Sequence, residues 1–225
     1  MINILKRLVS FIFGVTIIPI VSRFNAIVTG RIPVHDLSEI HVRNTKLVAN
    51  RTELLKLLPK GGVVAELGVN NGDFSKEIIA VNNPRKLHLV DIWGDSSDDR
   101  SKRSTVEMIV AQMPLGSSAN VHIGLSTEVV KGFEDRYFDW IYVDTDHTYK
   151  TTIAELESYA SKMVDGGIIA GHDYARTNWL GVVRFGVIEA VHEFCVKHEW
   201  ELVYLTVEIN NPSFAIRKIL PHQGA

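Results

Sequence analysis

Two short stretches of the sequence concentrate side chains that can hold a cation or move a proton. Asp144-Thr145-Asp146-His147-Thr148-Tyr149 follows the apolar run FDWIYV, and His172-Asp173-Tyr174 follows GGIIAG. A hard divalent cation such as Mg2+ takes oxygen ligands and usually keeps waters or substrate oxygens in its shell. Asp144 and Asp173 would supply two carboxylates, with His172 a further candidate ligand, and would leave places for a chelating substrate. His147, with an ordinary pKa of about 6.5, can accept a proton at neutral pH. Singly, each residue has a plainer reading. An Asp at a strand end commonly caps a helix, as Asp146 would for a helix beginning near Tyr149. His172 is open to three roles: ligand, second base, or partner of a carboxylate. Two Asp and two His at two neighbouring strand ends nevertheless favour a site.

A second group of residues points to a cofactor. The run VVAEL ends in Glu66-Leu67-Gly68-Val69-Asn70-Asn71-Gly72-Asp73-Phe74-Ser75. Gly68 lets the chain turn sharply, and Gly72 allows a ligand to approach the backbone at a helix start. The spacing is G-x-x-x-G, not the G-x-G-x-x-G of dinucleotide binders, and an ordinary strand–helix turn uses the same residues. Asp91 closes the next apolar run, 19 residues after Gly72. A carboxylate there can accept both hydroxyls of a ribose. Glycine loop and Asp91 together imply a ribose-bearing cofactor.

The elements that must position these groups alternate in type. Residues 47–58 have helical apolar spacing closed by Pro59 and Gly61-Gly62, and VVAEL then reads as a buried strand. Helices are expected over 74–81, 107–113, 151–163 and 182–198, and strands over LHLVDIW, VHIGLS, FDWIYVD, GGIIAGHD, WELVYLTVEI and PSFAIRKI. Continuous apolar strands between helices imply a parallel sheet covered on both faces. The last two strands have only Asn210-Asn211-Pro212 between them and should form an antiparallel hairpin. The stretch 94–104 (GDSSDDRSKRS) lacks periodicity and reads as a loop, either solvated or a lid. Arg176, Asn178 and Trp179 follow the fifth strand and are candidates for lining an acceptor pocket. His192 and His198 fall in a helix without such a role.

Composition bounds the class. The 225 residues are 46% apolar and 22% charged, enough for one large domain at roughly 150 residues per domain. The net charge of −2 gives no general electrostatic reason to expect nucleic-acid binding. The single Cys195 excludes an internal disulfide framework and fits a reducing compartment. Residues 8–22 (LVSFIFGVTIIPIVS) carry no charge and follow Lys6 and Arg7. Fifteen helical residues rise about 22 Å, short of the roughly 30 Å hydrocarbon core. The segment therefore reads as an interfacial anchor, a packed helix, or a spanning or cleaved segment, with Pro19 bending or ending any helix.

The ordered set AELGVNNGDFS, LVDIW, HIGLS, FDWIYVD and DGGIIAGHDY resembles the class I S-adenosylmethionine-dependent methyltransferases, from about Val63 to Phe214. The resemblance implies an α/β, Rossmann-like three-layer sandwich: a seven-stranded, mostly parallel sheet with an antiparallel last strand. The catalytic domain is accordingly expected at 46–225, and the resemblance leaves 1–45, an N-terminal apolar helix or membrane-associating segment and linker, unexplained. It assigns Glu66, Gly68 and Gly72 to the methionine end of the cofactor, Asp91 to the ribose, Ile92 to the adenine wall, and Ser126 to the adenine edge. The Asp144 and Asp173 positions are similar to the metal ligands of catechol-type O-methyltransferases. Tyr174 stands where those enzymes carry an Asn ligand, and His147 where they carry a Lys base. The D-x-D-H-x-Y and G-H-D-Y wording resembles the sugar and macrolide (macrocin-like) branch, in which a His and metal-bound vicinal hydroxyls act. The implied reaction is methyl transfer to a hydroxyl of a small molecule, a sugar or lipid-linked acceptor, in the cytoplasm or at the cytoplasmic membrane face. A metal-dependent hydrolase and a non-catalytic scaffold are the alternatives.

Overall fold

In the computed structural model, which describes residues 32–177 and 183–220, the apolar runs assemble into one eight-stranded sheet. The strands are β1 (Lys46–Val48), β2 (Val63–Leu67), β3 (Lys86–Asp91), β4 (Ser118–Ile123), β5 (Phe138–Val143), β6 (Met163–Gly171), β7 (Trp200–Thr206) and β8 (Phe214–Lys218). Their order is β1-β7-β8-β6-β5-β2-β3-β4. β8 runs antiparallel to β6 and β7, and the other neighbours are parallel, which makes the expected terminal hairpin.

The helices are α1 (Glu39–Val42), α2 (Arg51–Leu57), α3 (Asp73–Asn82), α4 (Ser97–Val110), α5 (Ser126–Val129), α6 (Tyr149–Ala160) and α7 (Val187–His198). Because successive strand residues face opposite ways, each buried strand feeds two cores. Ala65, Leu67, Ile141 and Val143 pack with Leu156 and Tyr159 of α6 and Val191 and Phe194 of α7. Val64, Leu89, Trp140 and Tyr142 pack with Leu54 and Leu55 of α2, Phe74 and Ile78 of α3, and Val106 of α4. Most of these side chains are wholly buried, each contributing about 1.5–3 kcal/mol relative to exposure.

Two expectations are corrected. The sheet has eight strands, not seven, because 47–58 is not one helix. Lys46–Val48 instead pairs with β7, and the Asn50 side chain accepts from Glu53 N to start α2 only at Arg51. The second correction concerns 94–104, where most of the expected loop is the front of α4. Ser96 caps it by accepting from Asp99 N. Asp98 and Asp99 suit the positive end of the helix dipole, and the pairs Lys102–Asp98 (2.8 Å) and Arg103–Glu107 (3.0 Å) bridge successive turns. Only Val106 of this helix is buried, so its signature is charge spacing, not apolar periodicity.

The order of strands creates the site. From β2 the chain lays β3 and β4 on one side and then crosses to put β5 on the other, so the loops leaving β2 and β5 diverge from adjacent strands. Asp144 N donates to Leu67 O (2.8 Å) and Gly68 N to Val90 O (2.9 Å), extending the ladder past both strand ends. At Gly68 the backbone has φ +89°, and a Cβ would lie 1.9 Å from the Asp144 carbonyl oxygen. No other residue type fits there.

The apolar segment 8–22 and the residues Asn178 and Trp179 lie outside the described residues. Among the described residues, no helix is long and apolar enough to cross a membrane. The chain following the apolar segment is docked on the sheet: Asn44 Nδ2 donates to Glu201 Oε2 (2.6 Å) and Thr45 Oγ1 to Leu202 O (2.7 Å).

Candidate active site

The C-terminal ends of β2, β3, β4 and β5 open into one cavity of about 500 Å³. Small-molecule sites commonly measure roughly 300–1,000 Å³. Gly68 and Asn70 line it after β2, Asp91 and Ile92 at the end of β3, and Gly124, Leu125 and Ser126 after β4. Asp144, Thr145, Asp146 and His147 line it after β5, and Thr151 and Glu155 from α6.

At the β3 end, Asp91 is held by backbone donors. Its Oδ2 accepts from Asn70 N (2.7 Å) and its Oδ1 from Trp93 N (3.2 Å). Asn70 can supply its N–H because it adopts φ +52°, a left-handed conformation that Asn tolerates better than most residues. The buried Trp93 fixes the same turn by donating its indole N–H to Asn70 O (2.8 Å). Each carboxylate oxygen accepts one such bond and retains acceptor capacity, and Asp91 lines the cavity. Beside it, Ile92 and Leu125 are 63% and 59% exposed, two apolar surfaces facing a cavity that a planar ring would cover.

At the β5 and β6 ends the two Asp and two His come together. His147 Nδ1 lies 2.9 Å from Asp173 Oδ2, and His172 Nδ1 lies 3.6 Å from Asp144 Oδ1 and 3.5 Å from Asp173 Oδ2. One atom each from Asp144, His147 and Asp173 fall within 4.8 Å of one another. Asp173 is buried, and its second oxygen, Oδ1, has no hydrogen-bond partner among the described residues. Burial alone would push both imidazoles toward the neutral form. The carboxylates outweigh it: Asp173, then Asp144, raises His147 above its ordinary range, and Asp144 and Asp173 raise His172 to about 9. Asp173 is held low in turn, its burial overcome by the two imidazoles. His147 and Asp173 both have left-handed backbones (φ +60° and +56°), a conformation costing roughly 1–3 kcal/mol at non-glycine residues. The His147 carbonyl is pinned by Gly186 N (2.8 Å), and a Cβ on Gly186 would meet Tyr149 N at 2.2 Å.

Of the remaining expected residues, Asp146 and Ser126 line the cavity, whereas Glu66, Gly72 and His172 do not. Glu66 is buried behind it and accepts from Ser75 Oγ (2.5 Å). Gly72 abuts α4: a Cβ there would lie 2.7 Å from Ile109 Cδ1 and 3.1 Å from Val106 Cγ2. Its small size thus serves helix packing. His172 lines a narrower crevice shared with His147 and Thr145. Asp146 supports the start of α6, its carboxylate accepting from Thr148 N and Thr151 Oγ1, while Thr148 is the cap itself. Ser126 lines the cavity and donates to Glu155 Oε1 (2.5 Å). Sequence reasoning passed over Glu155; its one signal was a carboxylate on the buried stripe that Thr152, Leu156 and Tyr159 define on α6.

This is the fold of the Rossmann-like methyltransferases, and structural neighbours share it at low identity. The pyocyanin biosynthetic protein PhzM superposes with a TM-score of 0.56 at 11% identity, covering 75% of this chain and 54% of that protein. Spermidine synthase from Thermotoga maritima gives 0.52 at 16%, covering 74% and 56%. An S-adenosylmethionine-dependent methyltransferase from Methanosarcina mazei gives 0.54 at 12%, covering 74% and 96%. The chain thus spans little more than half the length of the first two. No curated protein matches the sequence. Residues 65–174, which run from within β2 to just past β6 and include every charged group of the cavity, match the family model described as a methyltransferase domain.

The buried Glu66 yields a stability test. Burial raises its carboxyl to about 8, from 4.5 for a free side chain, with the Ser75 bond opposing the shift. Between those values the folded protein holds a proton that the unfolded chain has released. Its contribution to stability is therefore complete below about pH 4.5 and is lost as pH rises through about 8. Glu66→Gln should flatten this loss, giving a higher urea midpoint than the parent at pH 8.5. Parallel pH profiles for the two proteins would show that Glu66 is ionised in the folded state.

Proposed function

We propose that the protein transfers a methyl group from S-adenosylmethionine to a hydroxyl oxygen of a small-molecule acceptor, a sugar or glycoside being the favoured class. The observation that carries this reading is one cavity with two chemically distinct ends. Asp91 and the apolar Ile92 and Leu125 form one end, and Asp144 and His147 the other.

Each residue then has a task. Asp91 accepts the two ribose hydroxyls, Ile92 walls the adenine, and Ser126 stands at its edge. Gly68 brings the backbone close to the methionine end, and Glu66 and Gly72 shape that loop from behind. S-adenosylmethionine supplies a methyl group on positively charged sulfur, and the carboxylates of Asp91, Asp144 and Asp146 around the cavity suit a cationic ligand.

The donor set at the other end fits a hard divalent cation. Asp144 and Asp173 would hold Mg2+ or a similar ion, with His172 a further candidate, and Asp173 Oδ1 is a buried oxygen left without a partner among the described residues. Such an ion lowers the pKa of a nearby hydroxyl. His147 is the base. Its Nδ1–H donates to Asp173, which fixes the ring and leaves Nε2 to take the hydroxyl proton as the O–C bond forms and the C–S bond breaks. A hydrolase would use the same Asp and His groups but would leave Asp91 and its apolar neighbours without a task. The apolar segment 8–22, within an N-terminal unit of 1–45 preceding the catalytic unit 46–225, would seat the enzyme on the cytoplasmic face of a membrane, within reach of a lipid-linked acceptor.

Calorimetric titration of the full chain with S-adenosylmethionine should show binding, and Asp91→Ala should weaken it by about tenfold or more, the worth of a charge-assisted hydrogen bond. Equal affinity in the variant removes Asp91 from the site. Metal binding has a readout independent of turnover: Mn2+ titrated onto the protein should lose its free-ion electron paramagnetic resonance signal. Asp173→Asn should restore that signal, and an identical titration in the variant would contradict the assigned ligands.

A further inference from the structure

The roles above leave one buried carboxyl on the cavity wall without a task. We propose that Glu155 is a positioning residue: it ties the loop at the adenine end of the cavity to the loop that carries Asp144 and His147. The inference rests on reading the cavity as the S-adenosylmethionine site.

Glu155 projects from α6 and is wholly buried. Its Oε1 accepts from Ser126 Oγ (2.5 Å), and its Oε2 accepts from Thr145 Oγ1 (2.9 Å). Ser126 follows β4, and Thr145, between Asp144 and His147, follows β5. In the sheet these strands are separated by β2 and β3, about 14 Å at strand spacings of about 4.8 Å, so no shared ladder sets their loops relative to each other. One side chain does so, with one oxygen for each loop.

The choice of a carboxyl is informative because it is costly. Both contacts are neutral hydroxyls, and burial raises the group to about 7. An apolar side chain of similar size would avoid that desolvation, so packing alone does not account for Glu155. A side chain with two terminal polar atoms is needed to engage both hydroxyls. Displacement of either loop would misalign the cofactor against the acceptor end, where small errors of position reduce the rate steeply.

The test measures S-adenosylmethionine affinity by calorimetry, with thermal melting as a check of folding. Glu155→Leu should melt normally and bind about tenfold more weakly. Glu155→Gln, whose amide can accept from one hydroxyl and donate to the other, should stay within about threefold of the parent. Unchanged affinity in the Leu variant overturns the proposal, as does a Gln variant no better than Leu. Should Glu155→Leu not fold, Ser126→Ala and Thr145→Val carry the test. Cutting one link already releases the tie, so the double variant should lose little more than the worse single variant. Losses that multiply would mark independent contacts and overturn the tie. A parent chain that binds no S-adenosylmethionine refutes the cofactor reading itself, and the inference falls with it.

Discussion

The approach of Gly68 to the Asp144 carbonyl is the constraint on which the site depends. It lies at the reversal of strand order, where β2 and β5 are neighbours but their loops leave for opposite sides. The missing Cβ lets two chain segments touch that would otherwise be held apart. That contact brings the Asp91 end and the Asp144 end into one cavity. A side chain at Gly68 would disturb the Asp144 loop as much as any ligand, so its glycine is explained by the protein's own backbone before a cofactor is considered.

The Asp144–His147 end of the cavity is built on a second kind of constraint, charge confined by burial. Asp173 is buried against two imidazoles, which keep it ionised, and it keeps them basic. His147 and Asp173 both accept a left-handed backbone to make this contact. The strain is offset by the surrounding structure, notably Gly186 N on the His147 carbonyl and the Phe185 ring 5.0 Å from the imidazole. If His147 is the base, as proposed, the site trades local stability for a fixed orientation of its imidazole.

How much of this was legible in the sequence depended on the range of the interaction. Asp91, Asp144, His147 and Asp173 stand at the ends of continuous apolar runs, and strand ends in an open parallel sheet are where ligands bind, so their placement could be read directly. The antiparallel β8 followed from the lack of room for a helix after β7. β1 was hidden because three residues carry no period, and its pairing with β7 joins residues 158 apart in sequence, as in Lys46 with Tyr204. α4 was hidden because salt bridges and a cap mark it, with only Val106 buried to give an apolar signal. Gly72 was visible as a glycine but not as a packing partner of Ile109 and Val106, which lie on that same unread helix. Glu155 was hidden because its partners, Ser126 and Thr145, are brought to it only by the fold.

The claim at the centre of this account is that a methyl group passes from sulfur to a hydroxyl oxygen at the Asp144–His147 end of the cavity. Its most direct test is product analysis by 13C NMR, with methyl-13C S-adenosylmethionine, Mg2+ and a panel of glycosides bearing vicinal hydroxyls. A labelled O-methyl resonance is expected on one hydroxyl of an accepted glycoside, absent from the His147→Ala reaction. Label appearing on nitrogen or carbon of an acceptor, or an O-methyl product formed equally well without His147, would contradict it.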